Sequence, residues 1–164
     1  MSEFKPLDPT ACGLFLVAVV SLPLAIANLI DDQVGPSNEF FIGIGIMILV
    51  VALLAYRAES NFGFTVFTLV GTAVTLTGFG IGWWMDIAFA LTYFLAIIWS
   101  LNIKTPKALT IICFTTMLVF LTVGLSGICG GDWSLAIGIS ALLNFIFNIY
   151  LSFALAMDGK IKVF

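Results

Sequence analysis

Apolar residues run through this chain in six long stretches, and polar residues gather in the short gaps between them. The stretches read as 10–30, 40–56, 62–81, 84–101, 108–125 and 134–157. Each comes close to the length, about 20 residues, that an α-helix needs to cross the hydrocarbon layer of a membrane. In that layer backbone polar groups must be bonded inside their own segment, so helices are the expected form. The pattern predicts an all-α, polytopic membrane protein: a single six-helix transmembrane domain over residues 1–164. Short gaps make consecutive helices antiparallel neighbours.

The gaps carry recognisable punctuation. Asp8-Pro9-Thr10 reads as a helix start, with Asp8 as N-cap and Pro9 at the first helical position. Gly35-Pro36-Ser37-Asn38 is a loop, and Arg57 to Asn61 and Asn102 to Lys107 are tight turns. Gly78 to Asp86 has the glycines of a turn and, in Trp83 and Trp84, the aromatics of a membrane interface. Gly127 to Trp133 has the same character.

Charge orients this arrangement. The six Lys and Arg residues are Lys5, Arg57, Lys104, Lys107, Lys160 and Lys162. All of them fall at the termini or in the second and fourth connections. The first, third and fifth connections carry Asp31, Asp32, Glu39, Asp86 and Asp132 and no cation. Positive residues resist translocation, so both termini are expected in the cytoplasm of a cell-membrane (inner or plasma membrane) protein.

Composition excludes several classes. Hydrophobic residues make up 62% of the chain and charged residues 9%, outside the range of a soluble domain. Six scattered cations form no basic stripe, so a nucleic-acid partner has no support. There is no histidine, which removes Ser/His proteolysis and His-cluster metal chemistry, and no cofactor is implied. Cys12, Cys113 and Cys129 form neither a disulfide framework nor a metal motif. The chain does not read as an enzyme.

Polar groups inside the spans are the remaining signal. Thr65, Thr68, Thr72 and Thr75 share one face of the third span. Ser21 and Asn28 are seven residues apart in the first span, as are Thr115 and Thr122 in the fifth. Asn144 and Asn148 are four apart in the sixth, flanked at the same step by Ser140 and Ser152. Such groups serve either as glue between helices or as the lining of a pathway. No charge lies near the centre of any span, where proton pumps and ion-coupled carriers place a carboxylate, histidine or lysine. A pathway here is lined by hydroxyls, amides and apolar side chains. It suits a small neutral solute or a weak acid crossing in its protonated form.

Particular residues resemble a known family. Asp8-Pro9-Thr10-Ala11-Cys12-Gly13-Leu14 is similar to the Asn-Pro-Ala-Pro-Leu-Gly-Leu motif that opens the first span of the acetate uptake transporter family (succinate–acetate permeases). Asn28 falls where that family has an asparagine. Tyr56-Arg57 and then Asn61-Phe62-Gly63-Phe64-Thr65-Val66-Phe67 resemble its inner turn and the start of its third span, and Gly71 matches a following glycine. Tyr150-Leu151 is a weaker match.

The resemblance implies a homo-hexamer of six-helix protomers in the lipid bilayer, each with a pathway for acetate or a similar short monocarboxylate. Val17 and Val70 align with a phenylalanine and a tyrosine of the family's constriction, and Thr115 or Thr116 is nearest its third contributor. Taken with the polar positions, the expected pathway residues are Asp8, Pro9, Gly13, Val17, Ser21, Asn28, Phe62, Thr65, Thr68, Val70, Thr72, Asn144 and Asn148. The alternatives are a channel for urea, an amide or ammonia, and a membrane scaffold that transports nothing.

Overall fold

The computed structural model describes residues 9–30 and 35–157. Six helices follow in order: α1 (Thr10–Leu29), α2 (Asn38–Arg57), α3 (Asn61–Gly78), α4 (Trp83–Asn102), α5 (Lys107–Cys129) and α6 (Ser134–Ala156). Each is long and apolar enough to cross a membrane.

Local chemistry sets several boundaries. The Ser37 hydroxyl accepts the Phe40 N–H and the Ser60 hydroxyl accepts the Gly63 N–H, so each satisfies an otherwise orphaned first-turn donor. After α2 and α4 the chain reverses through Glu59 at φ 58° and Lys104 at φ 55°, both left-handed. The Ser60 N–H then donates back to Ala55 O at 3.0 Å, and the Thr105 N–H to Ser100 O at 3.2 Å. This closure usually falls to glycine.

Pairwise contacts arrange the helices in a closed ring, with each packed on its sequence neighbours and α1 packed on α6. All neighbours run antiparallel. Ser152 donates to Ala11 O near one end of α1 and α6, and Gly138 meets Leu29 at the other. Between α2 and α3 the backbones nearly touch. A Cβ on Gly45 would lie 2.6 Å from Thr75 N, and one on Gly71 would lie 3.0 Å from Leu49 N. Large apolar side chains such as Met47, Leu53, Leu91 and Leu95 cover the outside of the ring, as a lipid-facing surface requires.

Three expectations change. Pro9 rather than Asp8 is the N-cap of α1, and Asp8 lies outside the described residues. The stretch from Gly127 to Cys129, expected as a turn, continues α5, which ends where Gly130 takes φ 63°. Gly127 is needed there because a Cβ would meet the Trp83 ring, with Cγ at 2.5 Å. The third correction concerns Asp86. Counted above with the charges of the third connection although it falls within the 84–101 span, it belongs to the first turn of α4 and is buried.

Candidate functional site

A ring of six helices leaves space along its axis wherever inward side chains are small. Two cavities occupy that space. The larger, about 240 Å³, reaches the end of the bundle that carries Arg57, Lys104 and Lys107, where Thr10, Ser60, Thr105 and Pro106 line it. The smaller, about 110 Å³, extends toward the opposite end, where Leu24, Phe41, Thr77 and Asp86 line it. Three residues line both: Val17 of α1, Val70 of α3 and Thr116 of α5. They form the neck at which the two spaces meet.

Beside the neck lies a hydrogen-bonded cluster centred on Asn144. Its side-chain oxygen accepts from the Thr115 hydroxyl at 2.9 Å, the Thr116 hydroxyl at 3.0 Å and the Asn148 amide at 3.0 Å. Its amide donates to Ser21 Oγ at 3.0 Å, and the Ser21 hydroxyl donates in turn to Val17 O at 2.8 Å. Three helices are tied together at this point.

The cluster orients Asn148 unambiguously. The Asn148 amide nitrogen faces two acceptors, Asn144 O at 2.7 Å and Asn144 Oδ1 at 3.0 Å. Turning the amide over would set oxygen against both. Asn148 Oδ1 is therefore an acceptor, and it is buried without a hydrogen-bond partner among the described residues. A buried acceptor left unmade costs about 1–3 kcal/mol, so its retention in a wall of the larger cavity is a functional signal.

Apart from Asp86, the rest of the lining is apolar or already bonded. Phe62 stacks edge-on against Trp99 at 5.1 Å between ring centroids. The Tyr93 hydroxyl, buried at the wall, donates to Val66 O at 3.0 Å. Among the described residues the larger cavity has no charged residue in its wall, and the smaller has one, Asp86. No grouping of His, Cys, Asp and Glu fit to hold a metal occurs among the described residues.

No protein-family model and no curated protein sequence matches the chain. A solved structure does: the bacterial acetate channel SatP, at a TM-score of 0.74 and 16% identity, covering 96% of this chain and 99% of the other. The chain shares the fold of SatP. At that identity the likeness concerns architecture, and the site must be read from this chain's own residues.

The sequence-predicted residues divide into two groups within this SatP-like ring. Val17, Ser21, Phe62, Val70, Asn144 and Asn148 line the cavities together. Pro9, Gly13, Asn28, Thr65, Thr68 and Thr72 do not. Pro9 caps α1 and accepts the Gly13 N–H. Gly13 makes room for the Phe67 ring, whose Cζ would lie 2.5 Å from an added Cβ. The Asn28 amide is bonded to Leu24 O at 2.8 Å. Thr65 and Thr68 bond back to Asn61 O and Phe64 O. The α3 positions that line the cavities are Phe62, Gly63, Val66, Phe67, Val70, Val74 and Thr77, centred about half a turn round the helix from the threonine face.

Tyr93, Thr116 as a bonded neck residue, and above all Asp86 were not among the expected site. A signal for Asp86 exists in the sequence. Asp86, Ala90, Tyr93, Ala96 and Ser100 recur at steps of four and three, and all are buried on one face of α4.

Proposed function

We propose that this protein moves acetate or a related short monocarboxylate across a membrane, as the neutral acid or together with a proton. The observation that carries the reading is the buried, unpartnered Asn148 Oδ1 beside the Val17–Val70–Thr116 neck. It takes a hydrogen-bond donor, which a protonated acid offers and a carboxylate does not. Among the described residues no cation lines either cavity to offset an anion, and an apolar neck opposes the passage of charge. SatP is an acetate channel of the same architecture.

The function rests on further proposals. The basic end is cytoplasmic, with both termini there, since all six cations segregate to it in sequence. The protein sits in the cell membrane, acts without a cofactor, and assembles as a homo-hexamer with one pathway per protomer. Uptake of labelled acetate into proteoliposomes at pH 5 and pH 7, measured above protein-free vesicles, tests the function. No protein-dependent flux at either pH would overturn it.

A second reading draws on the same acceptor. Urea, short amides and ammonia also present N–H donors to Asn148 Oδ1 and carry no charge. Stopped-flow swelling in urea that is insensitive to added acetate would favour a neutral-solute channel.

A further inference from the structure

The smaller cavity holds a carboxyl group that the fold does not satisfy. Asp86 lies in the first turn of α4, is 7% exposed, and lines this cavity. It has no hydrogen bond or ion pair among the described residues. An acidic side chain in a first turn is favoured by the helix dipole. What α4 does not supply is a donor for the carboxyl oxygens.

The surrounding walls bond none to it either. The chamber is closed around Asp86 by Leu24 of α1, Phe41 of α2, Thr77 of α3, Val123 of α5 and Asn144 of α6, none of them titratable. On its own helix the nearest titratable group is Tyr93, which lines the other cavity. The hydroxyl hydrogens are committed elsewhere. Ser21 donates to Val17 O, Thr77 to Ala73 O and Thr116 to Asn144 Oδ1. The chamber thus presents lone pairs, one carboxyl group and one uncommitted amide hydrogen, the second N–H of Asn144, and it holds no cation among its described lining residues to offset an incoming anion.

Resting on the monocarboxylate reading, we propose that Asp86 is a substrate-docking residue that binds a carboxylic acid by sharing one proton with it. The pair forms in either of two ways. An ionised Asp86 accepts the O–H of the neutral acid, or an ionised Asp86 first takes a proton from the side of entry and then donates it to the carboxylate that follows. The composition is the same: two carboxyl groups, one proton, one negative charge. No covalent bond forms or breaks. Two ionised carboxylates in this charge-free chamber would repel without compensation. One proton therefore enters with each carboxylate, and the step is electroneutral. The residue sets the stoichiometry, while the Asn148 acceptor stands beyond the neck in the second cavity.

Charge movement tests this directly. In proteoliposomes, wild-type acetate uptake should acidify the lumen by one proton per acetate and ignore an imposed potassium–valinomycin potential. Asp86→Asn removes the fixed charge and supplies an amide donor. Its acetate uptake at pH 7 should become potential-driven and rise by about tenfold at an inside-positive potential, the scale of one carboxylate's repulsion removed. Asp86→Glu should remain electroneutral. Wild-type coupling retained in the Asp86→Asn variant would overturn the proposal.

A second readout needs no flux. Infrared difference spectra of wild type with acetate minus wild type with acetamide should show a perturbed protonated-carboxyl band, displaced in Asp86→Glu. An acetate difference spectrum without a carboxyl band would overturn the site even if either variant failed to fold. A wild type that binds acetate at Asp86 but transports none would overturn the function and leave the site.

Discussion

Asn148 donates its amide nitrogen to the backbone carbonyl of Asn144, one turn earlier on α6, at 2.7 Å, and its own side-chain oxygen is left buried without a partner. A residue chosen only to join helices would use both ends of its amide. Here one end fixes the rotamer and the other end is unused. The arrangement is rigid, desolvated and poised to accept, which is how a selective polar contact is built into an apolar path.

Replacing Asn148 by Leu therefore separates function from stability. The change removes two donations to Asn144 and also the orphaned acceptor, which costs about 1–3 kcal/mol as it stands. Thermal stability in detergent should stay level or rise, while protein-dependent acetate flux should fall about tenfold or more. Intact flux with a dissociated or thermally weakened oligomer would show that the amide serves as helix glue.

The neck makes a second prediction. Val17, Val70 and Thr116 come from three helices and bound both cavities. Valine and threonine are short and stiff, so the aperture is set by three β-branched side chains with little rotameric freedom. Val70→Phe should close it and abolish flux, at a strain cost of about 1–3 kcal/mol. Val70→Ala should open it, raising the ratio of butyrate to acetate flux. Measuring both acids on the same vesicles cancels differences in protein incorporation.

Much of this was legible in the sequence, for identifiable reasons. Span number and order follow from hydropathy because lipid leaves the backbone no other choice. Val17 and Val70 stand out through the family resemblance and the Asn144–Asn148 pair through its helical step, and all four line the cavities. The threonines of α3 misled. A hydroxyl in a helix can bond its own i−4 carbonyl, as Thr65 and Thr68 do, so it carries no information about which way the helix faces. Asp86 was missed because a carboxylate beside two tryptophans reads as loop. Its inward direction depends on where α4 starts, and that is a matter of one turn. The triple variant Thr65→Val, Thr68→Val, Thr72→Val should keep acetate flux within about twofold of wild type, since the Thr65 and Thr68 hydroxyls are bonded to their own helix, where they add little net energy, and none of the three residues lines a cavity. A severe loss would return the threonine face to the pathway.

The tight α2–α3 contact can be probed apart from the pathway. A Cβ on Gly45 would lie 2.6 Å from the backbone nitrogen of Thr75, and one on Gly43, two residues earlier, would meet nothing within 4 Å. Because the obstacle is backbone, the helices must separate. Gly45→Val should destabilise by about 1–3 kcal/mol and lower the melting temperature in detergent, and Gly43→Val should leave it unchanged. Equal effects at both positions would mean that β-branching in the helix, not helix approach, sets the cost.

The two left-handed turns at the basic end offer a stabilising change. An L-residue in that conformation is strained by about 1–2 kcal/mol, and glycine there gives back part of the gain, about 0.5–1 kcal/mol, through its freer unfolded chain. Glu59, at φ 58°, is exposed and makes its closure through backbone atoms alone. Glu59→Gly should therefore stabilise by about 0.5–1 kcal/mol, seen as a higher melting temperature. The change sits outside both cavities, so acetate flux should be unaltered. Lys104→Gly, at φ 55°, should stabilise similarly but also removes one of the cations that orient the chain. Comparing the two variants by cysteine accessibility from each side of the membrane separates the backbone effect from the topological one. A stabilised Glu59→Gly with unchanged sidedness fits the strain account, and a destabilised one refutes it.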